Sequence, residues 1–219
     1  MEFKLQNIQT ALFIENLDND NILKFSLEDE RMPFLDRQPF FTNVPIGAPK
    51  DIPRLVLQSK NGSYKCNISF SRVDLFQGKG LDEKELSLEN HKEKTINLID
   101  YLIDKGASIN RIGFIGIFLS EDFNESSSAN YLRESFIKDD LLNNPKELNI
   151  GYNKRKVENN IEFNHVVNFW GNDKKELRLQ IDINNIPETK KEKNELISIL
   201  KYSIEKMENI KKCFPDINI

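Results

Sequence analysis

The sequence predicts an α+β protein in which about three helices pack on a curved, antiparallel β-sheet built from hairpins. Two observations lead to this prediction. Alternating apolar and polar residues flank an Asn-Gly dipeptide at 61–62, and a similar pattern surrounds Gly171. After each of these hairpins comes a stretch with the apolar spacing of a helix, at 90–106 and at 189–212.

The N-terminal part predicts one strand and one long irregular segment. Residues 10–16 are short and apolar and precede an Asp/Asn cluster, which is typical of a strand that ends in a turn. Five prolines fall within 32–53, and each removes a backbone donor and keeps the residue before it extended. Because Phe34, Phe40 and Phe41 lie among these prolines, we expect the segment to wrap over the core and to offer a partner surface.

The clearest local signal is the hairpin centred on residues 61–62. An Asn-Gly dipeptide favours a two-residue type I′ turn. Such a turn pairs Leu57 with Cys66, and Leu55 with Ile68. The paired residues give the hairpin one apolar face, which we expect to lie on the core.

Four further elements and a second hairpin follow from apolar spacing. Residues 90–106 and 126–142 are predicted helices, and the first of them ends at a glycine. Residues 109–119 are apolar almost throughout and predict a strand that is covered on both faces or meets another element. The second hairpin is predicted around Gly171, and the longest helix, at 189–212, follows it.

The hairpin-then-helix order occurs at 54–106 and again at 160–212, as a pseudo-duplication with an internal twofold axis would produce. Because hairpins of this kind are common, chance is the alternative explanation. The length favours a single domain over residues 1–219, and the repetition leaves open a division into halves at 1–120 and 121–219.

Composition and charge limit the classes of function. The formal net charge is −4, so the average field of the protein repels a phosphate backbone. The sequence contains no run of about 18 apolar residues, and its N-terminus lacks the basic and apolar regions of a signal peptide. We therefore expect a cytoplasmic protein without a membrane partner, whose two cysteines, Cys66 and Cys213, are reduced thiols.

The sequence lacks the motifs that mark several kinds of catalytic site. The Gly-x-Gly at 78–80 has no third glycine and cannot form a dinucleotide-binding loop. His91 and His165 are too far apart in the chain to form a metal-binding motif. No Gly-x-Ser-x-Gly marks a nucleophilic serine. We therefore predict no cofactor, no metal site and no assigned catalytic residue.

The remaining candidates for a ligand site are charged strand residues and one histidine. His165 alternates with apolar residues, and a lone histidine on such a face is typically a hydrogen-bonded core residue, with an acid or base as the alternative. We select His165, Arg178 and Asp182 as convergent polar groups on a concave sheet face, and note that the predicted register allows His165 and Asp182 to lie on opposite faces instead. Arg72 and Asp74 are further candidates, and surface ion pairs are the alternative reading of these charges.

Three patterns follow one another from residue 45 onward: a proline-bounded hairpin, a core strand after a helix, and a strand before the last helix. Their residues are Val44-Pro45 with Ala48-Pro49 and Pro53-Arg54-Leu55-Val56-Leu57-Gln58-Ser59-Lys60-Asn61-Gly62, then Arg111-Ile112-Gly113-Phe114, then Leu179-Gln180-Ile181-Asp182-Ile183. In order and spacing the chain resembles a sporadically distributed family of uncharacterised bacterial proteins. The resemblance implies a bacterial source and, from the patchy occurrence of such families, a place in an accessory or mobile module. It implies no activity and assigns no catalytic residue.

These observations favour a non-enzymatic binding protein whose partner is another protein or a second copy of the chain. The alternative is a ligand-binding protein or an enzyme with its site on the concave sheet face. A third hypothesis, nucleic-acid binding, depends on the lysines of residues 189–212, among which glutamates are interspersed.

Overall fold

A computed structural model describes residues 3–15, 17–18, 20, 22, 30–81, 86–120, 127–137, 143–173, 176–187 and 190–209. Within these residues, nine strands form one antiparallel sheet and three helices accompany it, which confirms the predicted α+β class. The elements are β1 (Lys4–Glu15), β2 (Phe40–Phe41), β3 (Leu55–Gln58), β4 (Tyr64–Ile68), β5 (Arg72–Gly78), α1 (Leu88–Asp104), β6 (Ser108–Ser120), α2 (Ser128–Phe136), β7 (Glu147–Glu158), β8 (Ile161–Asn172), β9 (Leu177–Asn185) and α3 (Lys193–Glu208).

The order of the strands across the sheet is β2-β3-β4-β5-β1-β6-β9-β8-β7. Strands β1 and β6 lie at the centre. On each side the central strand comes first in the chain, and the outer strands, β2 to β5 on one side and β7 to β9 on the other, then return toward it one after another. A helix, α1 or α3, follows. The arrangement common to both sides is a central strand, the three-stranded meander next to it and a helix, which is larger than the stretches 54–106 and 160–212 that suggested it.

The register of the two central strands has local twofold symmetry. The pairs that define it are Thr10–Phe114 on the axis, with Gln9–Ile115 and Ala11–Gly113 on either side. Asp74 of β5 lies opposite Ala11, and Asp182 of β9 lies opposite Ile115. The two aspartates therefore occupy equivalent positions in the two halves of the sheet.

The predicted register of the first hairpin is confirmed, but its predicted turn is wrong. The paired residues of β3 and β4 are those expected. A type I′ turn requires a positive φ at both central residues, whereas here only Gly62 has one, at 77°. A loop of residues 60–63 joins the strands instead. The side-chain oxygen of Asn61 closes this loop by accepting hydrogen bonds from the backbone N–H and the hydroxyl of Ser63.

The sequence pattern does not predict strand β7, which forms one edge of the sheet. Most of its side chains are exposed, so no apolar alternation marks it. It pairs with β8 through a two-residue turn at Asn159 and Asn160, which have positive φ values of 51° and 62°. This turn has the positive φ values that type I′ geometry requires. The hairpin predicted around Gly171 is the next connection, from β8 to β9.

The helices overlap the predicted ones, and α1 begins and ends two residues earlier than predicted. Ser87 caps the start of α1, and Gly106, with a φ of 85°, follows its end. The predicted helices 126–142 and 189–212 overlap α2 and α3. The outer parts of both ranges fall partly outside the described residues, and Cys213 also lies outside them. No helix among the described residues is both long and apolar enough to cross a membrane.

The two faces of the sheet differ in their environment. The helices pack on one of them, called the helix face, where residues such as Leu12, Leu75, Phe114 and Leu179 are fully buried. The other face, called the open face, carries residues such as Asp74 that remain partly exposed, and no described helix packs on it. The core therefore lies between the sheet and the helices.

The proline-rich segment covers the core only in its first part. Met32 is buried, and Phe34 packs edge-on against Tyr64 with 5.0 Å between the ring centroids. Phe40 and Phe41 form the edge strand β2 and are 64% and 48% exposed. Phe34 thus contributes to packing, whereas Phe40 and Phe41 face solvent at the edge of the sheet.

Candidate functional site

Four of the five predicted ligand-site residues lie on the open face. Arg72 and Asp74 belong to β5, and Arg178 and Asp182 belong to β9. His165 lies on the helix face, because its partner on β9 is a buried isoleucine. The sheet itself therefore separates His165 from Arg178 and Asp182, and one small ligand cannot touch all three.

Asp74 is held by two neighbours at the centre of the open face. Gln9 Nε2 donates a hydrogen bond of 2.8 Å to Asp74 Oδ1. Arg72 Nη2 lies 2.6 Å from the same oxygen and forms an ion pair with it. The Arg72 guanidinium also lies over the ring of Phe13, with 5.4 Å between Cζ and the ring centroid. Arg72 and Asp74 thus satisfy each other within the fold.

Asp182 belongs to a neighbouring set of hydrogen bonds. Asn184 Nδ2 donates to Asp182 Oδ1 at 3.0 Å, and Arg111 Nη2 donates to Asn184 Oδ1 at 2.9 Å. Burial raises the pKa of Asp182 above its ordinary value, while the Asn184 hydrogen bond and the charges of Arg111 and Arg72 act in the opposite direction. Arg111 also stacks on Phe13, at 4.6 Å. The centre of the open face therefore carries two polar clusters whose arginines, Arg72 and Arg111, both stack on the ring of Phe13.

A cleft of about 870 Å³ opens on the same face, next to these clusters. We call it the Trp170 cleft; it is lined by Gln6, Ile117, Leu119, Glu147, Leu148, Asn149, Trp170, Gly171, Asn172, Glu176 and Arg178. The exposed guanidinium of Arg178 lies over the half-buried Trp170 ring, 5.2 Å from its centroid. Among the described residues, no carboxylate lies within ion-pair distance of Arg178. The charge pattern of the sequence indicates Arg178 as a candidate site residue. The cleft itself has no local signal in the sequence, because it depends on the order of distant strands in the sheet.

The connection between β8 and β9 fixes one wall of the Trp170 cleft. The hydroxyl of Ser128, at the start of α2, donates a 2.6 Å hydrogen bond to the Glu176 carbonyl and accepts one of 2.8 Å from the Asn172 N–H. Gly171 permits this close approach, because a Cβ atom there would lie 2.7 Å from the backbone carbon and oxygen of Ser128. Helix α2 thus holds together the ends of the strands that carry the Trp–Arg pair.

A second cavity, of about 410 Å³, lies on the helix face between β7 and α3. We call it the lysine cavity; it is lined by Tyr152, Lys154, Lys156, His165, Val167, Ile181, Ile183, Tyr202, Lys206 and Asn209. His165 Nε2 and the Tyr202 hydroxyl are 3.1 Å apart, within hydrogen-bond distance. Burial lowers the pKa of His165, and the charges of Lys156, Lys154 and Lys206 lower it further. Burial and the cationic surrounding therefore both favour the neutral form of the imidazole.

The other groups with catalytic potential are enclosed in the core. His91 is fully buried, its Nε2 lies 2.9 Å from Thr10 Oγ1, and burial lowers its pKa to about 3. Burial also raises the pKa of Cys66, so this thiol stays protonated. In the part of the chain that the structure describes, no three His, Cys, Asp or Glu side chains are grouped so as to hold a metal ion.

Some of the lysines considered for nucleic-acid binding form ion pairs with carboxylates. Lys191 is buried and lies 3.8 Å from Glu195, and Lys193 lies 2.7 Å from Asp100 on α1. Lys211 and Lys212 fall outside the described residues. Such pairs reduce the cationic charge that a phosphate backbone could use.

Comparison of the chain with protein-family models gives no match, and comparison with curated proteins gives none either.

Proposed function

We propose that this protein is a non-enzymatic binding protein and that a protein partner docks in the Trp170 cleft. The observation that supports this most directly is the Arg178 guanidinium, which is exposed, stacks on Trp170 and has no described carboxylate within ion-pair distance. Tryptophan and arginine are enriched among the residues that dominate the binding energy of protein interfaces. Their place on a sheet face that no described helix covers favours a large partner.

The lining of the cleft indicates the chemistry of the docking segment. Ile117 and Leu119 add apolar surface to that of Trp170. The side-chain amides of Gln6 and Asn149 line the same cleft and can bond to a peptide backbone. We therefore expect a segment that places an acidic side chain against the guanidinium and an apolar side chain on the neighbouring surface.

A protein segment suits this cleft better than a small ligand does. Pockets for small molecules usually bury most of the ligand surface. The Trp170 cleft is larger and more open than the cavity of about 410 Å³ on the helix face, and its rim residues Arg178, Glu147, Glu176 and Asn149 are all exposed. A partner that covers the rim would exclude water from the stacked pair and so strengthen its contacts.

The edge strand β2 is a second candidate surface for a partner. Its exposed residues Phe40 and Phe41 pair with β3 on one side only. An exposed, apolar edge of this kind can accept an additional strand from another chain. Strand β2 lies at the opposite end of the sheet from β7, so variants of the two surfaces separate the two modes of binding.

The test begins with capture of partners by the tagged protein, followed by purification of a captured protein and measurement of its affinity. Trp170→Ala and Arg178→Glu should each weaken binding by roughly 30-fold or more, the effect of losing a central interface residue. Arg155→Glu is the matched control, because Arg155 is an exposed arginine outside the cleft. The resemblance to a family of bacterial proteins suggests that the partner is encoded in the same accessory module as this chain, and the search can begin there.

Two outcomes would argue against docking in the cleft. One is unchanged affinity in both cleft variants, with circular dichroism confirming that they are folded. The other is loss of binding in a Phe40→Ser, Phe41→Ser double variant while Trp170→Ala binds normally, which would place the partner on β2.

A further inference from the structure

The lysine cavity combines a cationic rim with an apolar floor. Its cationic groups are Lys154 and Lys156 of the edge strand β7 and Lys206 of α3. The partly exposed rings of Tyr152 and Tyr202 form the floor together with one valine and two isoleucines, which are each at most 3% exposed. The cavity lies on the helix face, so the whole sheet separates it from the Trp170 cleft. It is not used in the docking proposed above.

Nearby carboxylates pair with only two of the three lysines. Lys156 Nζ lies 2.7 Å from Glu158, and Lys206 Nζ lies 2.9 Å from Glu205. Lys154 has no ion-pair partner among the described residues. All three lysines lower the pKa of the histidine in the cavity, in addition to the effect of burial. The balance of charge at the rim is therefore positive.

We infer that the lysine cavity binds a small amphipathic carboxylate, with its hydrocarbon tail on the floor and its carboxylate among the three lysines. The positive rim disfavours a cation. A bare inorganic anion would leave the apolar floor in contact with water, whereas a hydrocarbon tail gains free energy by covering it. The volume of about 410 Å³ lies within the range of small-molecule pockets.

His165 offers a direct readout of occupancy. The charged and titratable groups around it are Lys154, Lys156 and Glu158 on the β7 side, and Tyr202, Glu205 and Lys206 on α3. A bound carboxylate adds negative charge among the lysines and should therefore raise the pKa of His165. The chain contains only one other histidine, His91, whose pKa of about 3 keeps it from titrating near neutral pH.

Octanoate is a suitable probe, with octan-1-ol, octylammonium and acetate as matched compounds. Calorimetry should show octanoate binding roughly tenfold or more tightly than each of the other three, because only octanoate has both the charge and the tail. Lys154→Met, which keeps most of the apolar stem, should weaken octanoate binding roughly tenfold. Lys65→Met removes the same charge from the open face and should leave the affinity unchanged. Proton NMR should show a higher His165 pKa in the presence of octanoate.

Equal affinities for octanoate and octan-1-ol would overturn the inference, since the rim would then have no role. Acetate binding as tightly as octanoate would overturn it by removing the role of the floor. A folded Lys154→Met protein with unchanged affinity and an unchanged His165 pKa would also contradict it. Trp170→Ala should bind octanoate normally, so a failure of the docking proposal does not affect this test.

Discussion

Lowering the pH from 6.5 to about 5 should reduce the free energy of unfolding by about 1.5 kcal/mol through His91 alone. His91 is fully buried and has a pKa of about 3 in the folded protein, against 6.5 in the unfolded chain. The unfolded chain therefore binds more protons between these values. The stabilisation is complete above pH 6.5 and is lost progressively as the pH falls toward 3. Urea denaturation at a series of pH values measures this slope.

His91→Gln is the variant that isolates this contribution. Glutamine does not titrate and can still bond to the Thr10 hydroxyl, which lies 2.9 Å from the imidazole. The variant loses the ring contacts with Tyr64 and Phe114, so its stability should be lower at every pH, but its pH slope above pH 5 should be flatter. An identical slope in wild type and variant would show that His91 does not control it. His165→Gln serves as the comparison for the half-buried histidine.

Gly171→Ala should lower the free energy of unfolding by about 2 to 3 kcal/mol. A Cβ atom at this position would meet the backbone of Ser128 and Ala129 at 2.7 to 2.8 Å, and backbone cannot move aside as a flexible side chain can. The start of α2 must therefore shift away from the β8–β9 connection. Because this contact fixes a wall of the Trp170 cleft, partner affinity should fall together with stability. Denaturation curves and the affinity assay measure the two effects.

Gly113→Ala is the matched control for Gly171→Ala. Both glycines are buried and lie in strands, but a Cβ atom on Gly113 would have no neighbour closer than 3.7 Å. Alanine in a strand interior also loses less backbone freedom on folding than glycine does. Gly113→Ala should therefore be neutral or slightly stabilising. Equal effects of the two substitutions would show that the α2 contact does not limit stability.

Local alternation was sufficient to predict the first hairpin, because successive residues of β3 and β4 lie in turn on a buried face and on a face that is at least partly exposed. The same rule could not reveal β7, whose side chains are almost all exposed at the sheet edge. Turn chemistry was also a weaker guide than alternation. The Asn-Gly dipeptide at 61–62 lies in a longer loop. Asn159 and Asn160 instead adopt the pair of positive φ values that was expected of the Asn-Gly dipeptide.

The candidate sites depended on information that is not local. The charge pattern singled out Arg178 and Asp182, and both lie on the open face. The pattern allowed His165 to lie on the other face but did not decide it, because the face depends on the pairing of β8 with β9. The Trp170 cleft and the lysine cavity each bring together residues from distant elements. Their formation follows from the order of strands in the sheet.

The twofold relation between β1 and β6 allows the two halves of the chain to be compared position by position. Asp74 bonds to Gln9 and Arg72. Around Asp182, Gly113 occupies the position equivalent to Gln9, and Gln180 occupies the position equivalent to Arg72. Two identical half-length chains, associated through their first strands, would form a symmetric sheet with the same central pairing and two identical clusters. Fusion into one chain removes the requirement that both halves share a sequence. One half can then keep its ion pair for stability, while the other is free to evolve a recognition surface.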